Sequence, residues 1–148
     1  MTGQEPLPLA LTMGEPAGIG GELTLKAWLS RGEEDTPPFF AIDDPMRLEL
    51  LARRIGIDVP IHTIEQPEEA QAVFDHALPV MVQTLAAGVK PGEPDPANAQ
   101  AVIQSIERAV ELAQGRRAAA VVTNPVHKAV LYEAGFRHPG HTEFLGSL

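Results

Sequence analysis

Leu9-Ala-Leu-Thr-Met-Gly-Glu-Pro-Ala-Gly-Ile-Gly-Gly-Glu22 decides the fold. The apolar run Leu9–Met13 enters a turn with glycine at 14, 18, 20 and 21, and a helical pattern follows from about Glu22 to Ser30. A buried strand feeding a helix through residues that tolerate positive φ is the opening unit of an α/β layer structure. Leu25, Trp28 and Leu29 fall at helical spacing, which puts Trp28 in the core. The glycines spell neither the dinucleotide fingerprint G-x-G-x-x-G nor the P-loop, which needs Lys-Ser/Thr after its last glycine. Two readings of the turn follow. It is a tight connection that lets helix and sheet pack closely, which spacing alone favours, or a cradle of free N–H groups for an anion or hydroxyl.

Working outward, Pro38–Ile42 reads as a second strand. Asp43-Asp44-Pro45 then opens a helix to about Ile55, with Gly56 as its left-handed terminator. Asp43-Asp44 and Glu33–Asp35 read as solvated helix ends. Ile61–Ile64 and Val80–Val82 are short strands, and Thr84–Pro96 is a loop long enough to suggest function. Asp95 caps and Pro96 opens a helix to Gln114, ended by Gly115. Its stripe is Ala99, Val102, Ile103, Ile106, Ala109, Val110 and Ala113. Ala118–Thr123 reads as a buried strand, Asn124–Lys128 as a turn, and Ala129–Ala134 as a helix ended by Gly135. Strands alternating with helices predict a layered α/β fold with mainly parallel strands. A last helix opens at Pro139–Thr142 and runs to Leu148, under two turns. So short a helix is marginal by itself, so the chain is expected to be a fragment with apolar faces around Phe144 and Leu145 uncovered.

Composition narrows the function. The 148 residues carry 11 Lys+Arg against 20 Asp+Glu, a net charge of −9, which argues against nucleic acid as partner. The acid is concentrated in the first half, so the second half tolerates an anionic ligand better. With no cysteine, disulfides, thiolate nucleophiles and Cys-based zinc sites are excluded. The longest apolar run, Ala118–Val122, cannot span a membrane, and the N-terminus lacks a basic signal-peptide region. A cytoplasmic protein without membrane or nucleic-acid partners is expected.

Two further segments carry chemistry-capable residues. Asn124, His127 and Lys128 follow a strand at its carboxyl end, where α/β sheets place ligands; a capped turn with a surface lysine is the plainer reading. His141 and Thr142 set a ring donor and a hydroxyl beside helix N-terminal amides, a cradle for phosphate or carboxylate. The alternative is a simple cap at Thr142. His62, His76 and His138 stand isolated and read as structural or exposed, and no histidine pair has chelating spacing on one helix.

Met13–Glu22, Val122–Lys128 and Gly135–Leu145 together resemble the 4-hydroxythreonine-4-phosphate dehydrogenase family, in order and from about Leu9 to the last residue. The chain departs from the usual pattern at Glu15 and, with glycine for the usual proline, at Gly21. The resemblance implies an isocitrate/isopropylmalate-dehydrogenase-like α/β fold, with residues 1–148 as the N-terminal portion of a two-domain subunit in a homodimer. It implies NAD-dependent oxidation of 4-phosphooxy-L-threonine at its 3-hydroxyl. Loss of CO₂ then gives 3-amino-2-oxopropyl phosphate, in pyridoxal phosphate (vitamin B6) biosynthesis. It also implies a divalent metal (zinc, magnesium or cobalt) whose histidine ligands, with most NAD contacts, lie beyond Leu148, so the fragment alone is expected to be inactive. The family's substrate-binding His-Thr pair falls on His141 and Thr142; catalytic and cofactor residues stay unassigned. Two rival readings stand beside it. One is a sister dehydrogenase on another four-carbon phosphorylated acid or a dihydrodiol; the other is a non-catalytic anion-binding domain.

Overall fold

The computed structural model describes residues 3, 5–138 and 141–148, residue 141 by its backbone alone. Among these, five strands form one parallel sheet: β1 (Leu9–Leu11), β2 (Phe39–Asp43), β3 (Ile61–Ile64), β4 (Leu78–Val82) and β5 (Val121–Val122), in the order β3-β4-β2-β1-β5. The helices are α1 (Gly20–Leu29), α2 (Pro45–Ile55), α3 (Ala70–Phe74), α4 (Ala99–Gln114), α5 (Lys128–Glu133) and α6 (His141–Ser147). Short 3-10 turns at Pro67–Glu69 and Pro96–Asn98 lead into α3 and α4. The layered α/β expectation therefore holds, and α3 is an element the sequence reading passed over.

Alternation along β2 sorts the core into two layers. Phe39 and Ala41 pack with Leu25 and Trp28 of α1 and Leu48 and Ala52 of α2. Phe40 and Ile42 face the other way, toward Ala70 of α3 and Ala109 of α4. Trp28 is buried as its spacing predicts; its Nε1–H donates to the Phe74 carbonyl at 2.9 Å. The Arg31 guanidinium covers the indole at 3.7 Å from the ring centroid. Helix α2 starts where Asp44 caps it, accepting from the Met46 and Arg47 amides, and stops at Gly56 with φ +73°.

Three expectations need correction. Asp43 is not a solvated helix end: it closes β2 and is fully buried, because the parallel neighbours β1 and β4 flank it. The run Ala118–Thr123 is not a buried strand; only Val121–Val122 is strand, at the sheet's edge, with Ala119, Ala120, Val122 and Thr123 exposed. Phe144 is not uncovered either. It is buried, its ring 5.0 Å from Phe136 and 5.2 Å from His138, so this end of the chain makes a small aromatic cluster.

Candidate functional site

The connection after β2 leads to α2 on one face of the sheet, and the connection after β4 leads to α4 on the other. Neighbouring strands whose connections part to opposite faces leave a crevice at their carboxyl ends, where open α/β sheets bind ligands. Such a groove is present, of about 550 Å³. Its floor is Pro16–Gly18 and Arg47; α2 forms one wall through Met46, Leu50 and Arg54, and the loop from Thr84 to Pro91 the other. Met46, Leu50 and Val82 are 69%, 57% and 46% exposed, an apolar lining open to solvent. The long loop foreseen from its punctuation thus has a place at a cavity. Met46 and Leu50 were overlooked; their i, i+4 spacing on the side of α2 opposite Leu48 and Ala52 was the available signal.

The turn under the groove is held from several sides. Gly14 adopts φ +68°, and a Cβ there would lie 2.6 Å from Asn124 Cβ and 2.8 Å from the Pro125 carbonyl oxygen. The Glu15 amide donates to that same carbonyl at 2.8 Å, and the Met13 amide to Ser105 Oγ at 3.0 Å. The Glu15 carboxylate accepts from the Ala17 amide at 2.9 Å, bracing the turn from within. Close packing is therefore what the glycines at 14 and 20 provide. Gly18 and Ile19 are exposed beside the start of α1, whose first turn has no side-chain cap.

Arg47 carries the electrostatics. Its Nε–H and Nη2–H donate to Asp43 Oδ1 and Oδ2 at 2.9 and 3.0 Å, a buried bidentate pair. Nη1 and Nη2 also reach the Pro16 and Met13 carbonyls, both at 3.3 Å. Burial pushes the Asp43 carboxyl above its ordinary value, against the pull of the Arg47 charge.

The other candidates separate. Asn124 is buried and structural: its Nδ2–H donates to the Thr12 carbonyl and to Thr24 Oγ1, both at 2.9 Å, and its amide to Thr12 Oγ1 at 3.1 Å. His127 Nδ1 accepts from the Val130 amide at 3.4 Å, capping α5, and Lys128 is exposed. Thr142 lies exposed in the first turn of α6; the side chain of His141 lies outside the described residues. Among the described residues, no group of three or more His, Asp or Glu is placed to hold a metal ion. They do not fit the divalent metal that the resemblance implies.

Relatives place the chain. The pyridoxal phosphate biosynthetic protein PdxA family model matches residues 36–148. The 4-hydroxythreonine-4-phosphate dehydrogenase of Methylorubrum extorquens (strain PA1) is 52% identical over 145 residues, covering 95% of this chain and 41% of that protein. That of Bradyrhizobium diazoefficiens is 45% identical over 149 residues, 95% of this chain and 43% of its own length. A crystal structure of a 4-hydroxythreonine-4-phosphate dehydrogenase from Burkholderia phymatum superposes with a TM-score of 0.87 at 30% identity, over 97% of this chain and 44% of that one. A terephthalate 1,2-cis-dihydrodiol dehydrogenase from Burkholderia xenovorans LB400 shares the fold, with a TM-score of 0.69 at 22% identity over 92% of this chain and 39% of that one. The chain spans about two fifths of the length of these curated relatives. A layered parallel α/β unit, a braced glycine turn under a switch-point groove and these matches make the chain a member of the PdxA family of pyridoxal phosphate biosynthetic proteins.

Proposed function

We propose that residues 1–148 are the N-terminal portion of a two-domain, isocitrate/isopropylmalate-dehydrogenase-like subunit acting as a cytoplasmic homodimer. Its reaction is the NAD-dependent oxidation and decarboxylation of 4-phosphooxy-L-threonine to 3-amino-2-oxopropyl phosphate. The observation that carries this reading is the 52% identity to a 4-hydroxythreonine-4-phosphate dehydrogenase along nearly the whole chain.

The groove suits part of the cofactor. Its volume of about 550 Å³ is that of a small-molecule site, and its walls are apolar enough to take a flat ring. Met46, Leu50 and Leu85 would flank that ring, and Arg54 at the rim would face an anionic group. NAD, when bound, accepts the hydride from the carbon bearing the substrate's hydroxyl. This chain's own residues bind and orient. The Pro16–Gly18 backbone gives the groove a fixed floor, and Thr142 with His141 would hold the phosphorylated substrate at the start of α6. There the hydroxyl and the N-terminal amides favour an anion. The divalent metal and its histidine ligands belong to the part of the subunit beyond this chain.

The test compares two proteins. The complete protein with NAD, divalent metal and 4-phosphooxy-L-threonine should produce NADH and CO₂; turnover of a dihydrodiol or another four-carbon phosphorylated acid instead would replace the substrate. The 148-residue chain alone should show no turnover above blank, and robust NADH formation by it would overturn the division of labour.

A further inference from the structure

Gly21, Asp43 and Arg47 are far apart in sequence but share one buried volume. A Cβ on Gly21 would sit 2.5 Å from Arg47 Nη1 and 2.7 Å from Leu51 Cδ2. The side chains of Arg47 and Asp43 are 7% and 1% exposed, and Asp43 Oδ1 also accepts the Asp44 amide at 2.7 Å. A buried ion pair is a poor device for stability alone, since apolar side chains of similar volume do as well or better. What the guanidinium adds here is direction. Its planar fork meets a carboxylate on one edge and the Met13 and Pro16 carbonyls on the other. Those carbonyls bracket the turn that floors the groove, while Asn124, Pro125 and Ser105 grip the same turn from the opposite side.

We propose that Gly21, Asp43 and Arg47 form one unit in which Arg47 is a positioning residue: it fixes the Met13–Gly18 turn under the cofactor groove, Asp43 orients it, and Gly21 leaves it room. This rests on the assignment of the groove to NAD. Glycine stands at 21 because the Arg47 guanidinium and Leu51 occupy the space that a side chain would fill. The three positions are therefore exchangeable only together.

Two measurements on the complete protein test the unit. The first is the dissociation constant for NAD, by titration without substrate, beside the melting temperature. Arg47→Met should weaken NAD binding about tenfold. Arg47→Lys should recover little of this, because one ammonium cannot serve a carboxylate and two carbonyls. A lowered melting temperature with unchanged NAD affinity in Arg47→Met would overturn the positioning role and leave a structural pair.

The second measurement needs no cofactor. The loss of melting temperature caused by Gly21→Ala should at least halve in an Asp43→Ala, Arg47→Met background. Should Gly21→Ala alone fail to fold, the triple variant should fold. Equal losses in both backgrounds, or a triple variant that also fails, would overturn the unit. If the starting protein does not bind NAD at all, the cofactor assignment fails, and this second measurement still decides whether the three residues act as one.

Discussion

The carboxyl end of β1 and the amino end of α6 carry two of the most informative motifs in the sequence, and the structure treats them in opposite ways. Residues 14–17 are buried, and the turn's amides and carbonyls are bonded to Asn124's neighbour Pro125, to Ser105, to Glu15 and to Arg47. Thr142 stands exposed at the start of a short helix that is tied down chiefly through Phe144. A motif of the first kind explains itself, since its residues answer to one another. The exposure of the second would be accounted for by the proposed substrate contact. On that proposal the difference separates residues that shape a site from residues that meet a ligand, and it predicts different damage when each is changed.

The sharpest break would come at Gly14. Gly14→Ala puts a side chain at φ +68° with backbone and Asn124 atoms under 3 Å away. The left-handed conformation costs about 1–2 kcal/mol and overpacking about 1–3 kcal/mol. Stability should fall by about 3 kcal/mol in denaturant melts of the complete protein, with binding lost in proportion. A variant that melts normally would show the turn to be looser than its contacts imply.

These two regions also mark how far the sequence could be read. The β1-turn-α1 unit, the Asp44-Pro45 start of α2, its Gly56 stop and the Asp95-Pro96 entry to α4 were legible. Each depends on backbone geometry, which a few residue types satisfy locally. Asp43 was misread because its partner Arg47 and the room at Gly21 are brought together only by the fold; an acid at a helix start is ordinarily solvated. Its i, i+4 spacing to Arg47 was a usable signal. Ala118–Thr123 misled for another reason. Apolar composition records that a strand is meant to be covered, and β5 is the edge among the described strands. The substrate role proposed for Thr142 rests on motif resemblance, because its place at a helix start fits a simple cap equally well.

Thr142→Val sharpens the comparison from the other side. It preserves shape at an exposed position, so the melting temperature should stay within a degree or so. Losing a hydrogen bond to an anionic group costs about 1.5–3 kcal/mol, so KM for the phosphorylated substrate should rise about 10- to 150-fold, with kcat changed less. A normal KM with lowered melting temperature would return Thr142 to the role of a helix cap, worth about 1 kcal/mol.

A third place, remote from both motifs, separates the effect of bonding from that of burial. Arg117 donates to Glu68 Oε1 at 2.9 Å and Oε2 at 3.0 Å, and also to Gln66, a network as well bonded as the one around Arg47. Its side chains are 41% and 58% exposed, so water and salt screen what they share. The Arg117 hydrogen bond is the main cause that lowers the Glu68 carboxyl from its ordinary 4.5 to about 2. A carboxyl depressed in the folded state stabilises above its unfolded value. That contribution is lost as pH falls from about 4.5 toward 2, where the folded protein must also take up the proton. Glu68→Gln should therefore match the parent protein's melting temperature near pH 2. At neutral pH it should fall only slightly below it, and roughly 0.5 M salt should erase most of that gap. A loss at pH 7 as large as that of Gly14→Ala would mean that bonding geometry alone, exposed or not, sets rigidity in this fold. The contrast between the buried, self-answering turn and the exposed start of α6 would then have to be drawn on other grounds.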